Sequence, residues 1–193
     1  MEIMVFYEDQ QEILLLDRFF SLITQIPLTD FGLNSTVTAA AVASSDGFWL
    51  FDETDFKLSK LDSRLRRLTV ETPLNLILDR ERFDIRMLRE YQNHVYLLDY
   101  NAGIYVFDNL GNYKQKIPVT GVQYINFTGN ELYFVKDNAL HFFDLYKLQE
   151  RTLSLPSLPH RRVEEPVLAI YALGEAPHLG ADELTCDGVL IAA

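Results

Sequence analysis

The sequence predicts an all-β protein built as an array of four-stranded antiparallel units. Two observations carry this. Four segments share one pattern: a short apolar run, an Asp, a turn, a second apolar run and a Pro. Their anchoring residues Asp17, Asp62, Asp108 and Asp144 stand 45, 46 and 36 residues apart. Repetition on this scale marks a repeat architecture, in which each unit buries its apolar faces only against its neighbours. The composition agrees. Of 193 residues, 48% are hydrophobic and 12% aromatic, which suits pleated, packed strands and excludes a disordered chain.

The elements follow in order. The repeated pair of runs is ILLLDRFFSLITQIPL (13–28), LSKLDSRLRRLTVETPL (58–74), IYVFDNLGNYKQKIPV (104–119) and LHFFDLYKLQERTLSLP (140–156). A strand precedes each pair: VFYED (5–9), FWLFD (48–52), VYLLD (95–99) and LYFVK (132–136). In the last three units a turn and another apolar run come before that. The turns are Ser45-Asp46-Gly47, Gln92-Asn93-His94 and Gly129-Asn130, and the runs are 38–44, 85–90 and 122–128. Gly, Asn and Asp tolerate positive φ and close tight hairpins. The units therefore lie near 3–28, 38–74, 85–119 and 122–156, the first without an opening strand. Phe51, Leu97, Leu98, Val106, Phe134 and Phe142 occupy equivalent strand places and are expected in the core.

Four antiparallel strands with a period of roughly 40–45 residues are the signature of a β-propeller blade. A solenoid of β-hairpins is the competing geometry. The stretch 95–117 resembles an NHL-type propeller repeat, through Tyr96, Asp99, Asn101, Ile104, Val106, Asp108 and Gly111. The match covers one unit well and the others loosely: no Gly follows Asp62, and Lys136 stands in the place of Asp99. The Gly-His and Trp-Asp marks of WD40 repeats are missing. The chain resembles, more loosely, exported bacterial propeller proteins. The resemblance implies architecture and no activity.

Residues 1–156 are read as the propeller-like repeat domain, about four units forming an incomplete or open ring. Residues 157–193 are read as a degenerate fifth unit or a loosely packed tail. All 13 Phe lie at or before Phe143, whereas Pro156, Pro159, Pro166 and Pro177 crowd the end. The apolar runs 167–173 and 187–191 could supply a closing strand; the open form is preferred, because the end lacks aromatic packing residues. If Met1 is the true start, the compartment is cytoplasmic. If it is internal to a longer exported protein, the compartment is the periplasm or cell surface.

One stretch, LNLILDRERFD (74–84), breaks the repeat. Thr72 or Asn75 could cap a short helix there, or the stretch is a long inter-blade loop. Insertions of this kind gather on one face of a propeller and carry binding. Asn75, Asp79, Arg80, Arg82 and Phe83 are the candidate partner-contact residues.

The most regular polar feature is the set Asp17, Asp62, Asp99, Asp108 and Asp144. Gathered carboxylates could hold a cation or serve acid–base work. A hairpin Asp that accepts amide hydrogen bonds is the favoured reading, because it repeats and an active site does not. SSDGFW (44–49) is a near miss to the Asp box of sialidase-type propellers and is explained by an Asp-Gly hairpin. His94, His141, His160 and His178 show no metal-ligand spacing, and the single Cys186 forms no internal disulfide. Neither cofactor nor metal is expected, and no catalytic residue is assigned. A net charge of −11 argues against nucleic acid, and no apolar run is long enough for a spanning helix. The reading is a non-catalytic binding or scaffold domain with a protein partner. The alternatives are a propeller lyase or hydrolase with a site at the ring centre, and a non-functional fragment of a longer exported protein.

Overall fold

The computed structural model describes residues 2–155 apart from 34–35, 45–46, 65 and 79–82. The expectations for 157–193, the candidate closing strands and Asp79, Arg80 and Arg82 therefore lie outside the described residues.

Among the described residues, fifteen strands form four antiparallel sheets, each built from consecutive strands. The first has three: β1 (Ile3–Tyr7), β2 (Glu12–Leu16) and β3 (Leu22–Pro27). The second contains β4 (Val37–Ala43), β5 (Gly47–Asp52), β6 (Lys57–Asp62) and β7 (Arg67–Pro73). The third contains β8 (Ile85–Tyr91), β9 (His94–Asp99), β10 (Gly103–Asp108) and β11 (Tyr113–Ile117). The fourth contains β12 (Asn126–Thr128), β13 (Glu131–Lys136), β14 (Ala139–Asp144) and β15 (Glu150–Ser154). These are blades 1 to 4 of a propeller-like array.

Local chemistry sets the hairpins. Gln92-Asn93 and Asp137-Asn138 each carry two successive positive φ angles, the backbone of a two-residue turn that matches strand twist. In blades 1 to 3 the ladder slips one residue just before the hairpin Asp, between Leu15/Leu16, Lys60/Leu61 and Val106/Phe107. An extra residue at that place sharpens the twist of the outermost strand.

Packing between blades forms three cores. Ile13, Leu28, Phe48 and Leu50 join blades 1 and 2. Trp49, Phe51, Leu97, Tyr105 and Phe107 join blades 2 and 3. Tyr96, Leu98, Ile104, Val106 and Phe134 join blades 3 and 4. Alternate residues of β5 and β9 feed opposite cores, which is why these strands read as unbroken apolar runs. β5 is buried at every position and β15 is exposed at every position. Inner strands lie between two blades, and outer strands face water.

Three expectations are corrected here. Phe142 is only half-buried, because its face of blade 4 has no described blade against it. The run 122–128 pairs only over Asn126–Thr128; Val122 and Ile125 enter the core without joining the ladder. Neither Thr72 nor Asn75 caps a helix. A 3-10 turn spans Leu74–Leu76 after Pro73 with no side-chain cap, and the Thr72 hydroxyl donates to the Gly111 carbonyl of blade 3 at 2.9 Å.

Candidate functional site

The hairpin carboxylates each sit in their own turn. The Asp17 Oδ1 accepts the amides of Phe19 and Ser21, at 2.8 and 2.9 Å. The Asp62 Oδ1 accepts Arg64 N–H at 2.9 Å. The Asp99 Oδ1 accepts Asn101 and Ala102, at 2.8 and 2.9 Å, and its residue is fully buried. The Asp108 Oδ1 accepts Leu110 and Asn112, at 3.0 and 2.9 Å. The Asp144 Oδ1 accepts Tyr146 and Lys147, at 2.9 and 2.8 Å. Asp52, which sequence reasoning passed over, does the same with Thr54 and Asp55. Its signal was present, since it ends β5 where Asp99 ends β9. Blade 4 has Lys136 there and closes the hairpin with Asp137-Asn138 instead. Among the described residues no three His, Cys, Asp or Glu side chains are grouped to hold a metal ion.

Two of these blades' ionisable groups are far from their ordinary acidity. Burial pushes the Asp108 carboxyl upward, but hydrogen bonds from Asn112, Leu110 and Lys114 outweigh it and hold it at about 2. The Tyr96 phenol is pushed up to about 12, first by burial and then by the neighbouring Tyr146 and Tyr91. The first group serves a turn and the second lies in an inter-blade core.

Polar contacts across blades were invisible in the sequence. The Gln11 side-chain amide donates to the Val37 carbonyl at 2.8 Å and accepts from Val37 N–H at 2.9 Å, tying blade 1 to blade 2. The Glu90 carboxylate accepts the Trp49 indole N–H at 2.6 Å and the Ser44 hydroxyl, tying blade 2 to blade 3. The Tyr91 hydroxyl and Gln92 amide donate to the Gly129 carbonyl, at 2.7 and 2.9 Å, tying blade 3 to blade 4. The Tyr146 hydroxyl donates to Gln92 Oε1 at 3.2 Å. These contacts bring the β8–β9, β12–β13 and β14–β15 turns to one face of the array.

The described part of the insertion lies on the opposite face, where Asp84 stands beside the β9–β10 turn. Asp84 N–H reaches Asp99 Oδ2 at 3.4 Å, and Asn101 reaches the Asp84 carboxylate. Leu74 and Leu78 are buried and pin the loop. Phe83 turns inward among the rings of Phe51, Phe56 and Tyr105, with centroids at 6.1, 5.6 and 6.2 Å. Phe83 is thereby partly buried against the core between blades 2 and 3. Asn75 is exposed, and beside it Leu76 is 80% and Ile77 41% exposed. The sequence reading left this stretch open between a short helix and a long loop and did not name these two apolar residues among the contact candidates.

No protein-family model matches the chain, and no curated protein matches it. Solved structures do resemble it. Streptogramin B lyase is 17% identical with a TM-score of 0.57, over 80% of this chain and 51% of that one. The Neurospora crassa Pan2 WD40 domain is 12% identical with a TM-score of 0.53, over 79% and 51%. Kuenenia stuttgartiensis hydrazine synthase is 11% identical with a TM-score of 0.53, over 78% and 46%. At such identities the likeness concerns the fold alone, and the fold is that of a β-propeller. The chain spans about half the length of the structures it matches.

Proposed function

We propose that the chain is a non-catalytic β-propeller scaffold that binds another protein through the loop at 74–84. The observation that carries this is the paired Leu76 and Ile77, exposed on the described part of the loop that breaks the repeat. An exposed apolar cluster on a protein surface is a place where burial against a partner gains stability. The pair is also held: its neighbours Leu74 and Leu78, with Phe83 at the far end of the loop, pack in the core between blades 2 and 3. An anchored apolar pair loses little conformational freedom on binding, so more of its burial appears as affinity. Asn75 offers amide hydrogen bonds beside the apolar pair. The repeat carboxylates are assigned to the fold, and the third blade to the NHL-like pattern.

The test is capture of binding proteins from the native lysate with wild-type protein and with Leu76→Asp/Ile77→Asp. The variant should unfold at the wild-type temperature and lose the bound protein. An unchanged set of captured proteins would defeat the assignment to this loop.

A further inference from the structure

We propose that the face carrying the β2–β3, β6–β7, β10–β11 and β14–β15 hairpins, opposite the loop at 74–84, rests on an anionic phospholipid bilayer. Two independent patterns meet on it. The first is apolar. Two residues after the hairpin Asp stand Phe19, Leu110 and Tyr146, in blades 1, 3 and 4, and they are 70%, 67% and 70% exposed. That Asp accepts the amide of each, so the tips are fixed before anything touches them. Phe20 and Leu148, in the same hairpins, are exposed as well. The turns of the other face, at 8–11, 53–56, 100–102 and 137–138, are all described and hold no exposed large apolar residue.

The second pattern is charge. The hairpin turns, at 17–21, 63–66, 109–112 and 145–149, hold Arg18, Arg64, Arg66 and Lys147 against one carboxylate, Asp17. The turns of the other face hold Glu8, Asp9, Glu53, Asp55 and Asp137 and no basic residue. A chain of net charge −11 thus presents one basic, apolar-tipped face. Strands of five to seven residues place the acidic face about 16–23 Å away, at least twice the Debye length of about 8 Å at physiological salt. Its repulsion from an anionic surface is therefore largely screened. The Arg18 guanidinium also lies 4.7 Å over the Phe19 ring, which holds a cation and an apolar surface together as the boundary of a bilayer requires.

The spacing selects lipid over a protein groove. The tips recur at the same turn of three blades, so they stand at one level with a blade's width between them. A groove takes one contiguous cluster. A lipid surface meets separated tips together, with apolar ends among its acyl chains and basic residues among its headgroups. This face is separate from the loop at 74–84, and neither reading needs the other.

The test is sedimentation of the full chain with vesicles of equal parts phosphatidylserine and phosphatidylcholine, and with vesicles of phosphatidylcholine alone. The protein should pellet with the first and far less with the second. Phe19→Ser/Leu110→Ser removes apolar tips, and Arg18→Gln/Lys147→Gln removes charge. Each should weaken binding at least about tenfold, since one basic residue near an anionic surface is worth about fivefold. Cooperative thermal unfolding of each variant checks that the fold is kept. Leu76→Asp/Ile77→Asp, on the other face, should pellet as wild type does, which separates this surface from the loop. No pelleting with the anionic vesicles overturns the proposal, as does equal binding to both vesicle types. Loss of vesicle binding in Leu76→Asp/Ile77→Asp overturns the choice of face. Wild-type binding by Phe19→Ser/Leu110→Ser leaves plain electrostatic adsorption and overturns the apolar contact.

Discussion

Gly111 is where one methyl group tests the packing of blade 2 on blade 3. It follows Asp108 at the β10–β11 hairpin with φ of 83°. The left-handed backbone alone does not demand glycine here. Phe20, Arg66 and Leu148, which follow the hairpin Asp of the other blades, have φ of 62°, 49° and 54°. What differs is the neighbour. A Cβ on residue 111 would lie 2.5 Å from both Thr72 Oγ1 and Val70 Cγ1. Gly111→Ala therefore adds about 1 kcal/mol for the left-handed conformation and about 1–3 kcal/mol for overpacking. Shifting Thr72 also strains its hydrogen bond to the Gly111 carbonyl, a net contribution of about 1 kcal/mol. The expected loss is about 2–5 kcal/mol. Urea unfolding followed by the fluorescence of Trp49, the sole Trp and a member of the same inter-blade core, reads it directly. Val70→Ala in the same chain removes one of the two clashes, and a double-mutant cycle should show about 1 kcal/mol of favourable coupling. A Gly111→Ala loss below about 0.5 kcal/mol, or no coupling with Val70→Ala, would refute the contact and the blade register behind it.

Three further outcomes are expected. The Asp108 carboxyl is lowered from 3.8 to about 2, so its stabilisation is present above pH 4 and lost as pH falls toward 2. With its carboxylate 19% exposed, that amounts to about 1 kcal/mol after solvent screening. Acid titration of stability should show it in wild type and not in Asp108→Asn, which keeps both amide bonds; a divalent-cation-dependent collapse of Asp108→Asn would point to a metal role instead. Glu90→Ala leaves the Trp49 indole N–H without its acceptor and should cost about 1–3 kcal/mol with a shifted Trp emission, while Glu90→Gln should recover most of both. Leu97→Ala, fully buried between blades 2 and 3, should cost about 2–5 kcal/mol, and half-buried Phe142→Ala clearly less; equal losses would contradict the open face on blade 4.

The hairpins were legible because their causes are local. Asp108 reaches amides two and four residues on, and Asp144 reaches two and three residues on. The insertion was legible as a break in the period, but its orientation was not. Phe83, Leu76 and Ile77 are all apolar, and their spacing says nothing about which enters the gap between Phe51 and Tyr105. The strand at 122–128 was over-read for a related reason: Val122 and Ile125 are apolar because the core needs them, and the same pattern suits a paired strand.

The sequence by itself determined the four units among the described residues, the order of their strands and the place of each hairpin, since period, alternation and turn residues act within a few residues of one another. Only the tertiary structure decided which faces are covered. Glu90 finds Ser44 and Trp49 at separations of 46 and 41 residues, and Thr72 finds Gly111 at 39. Burial belongs to the neighbouring blade as much as to the residue. Phe134, against blade 3, is buried, and Phe142 in the adjacent strand faces the other way and is half open. Two similar strand residues thus differ because an apolar face gains stability only where a second face excludes water from it.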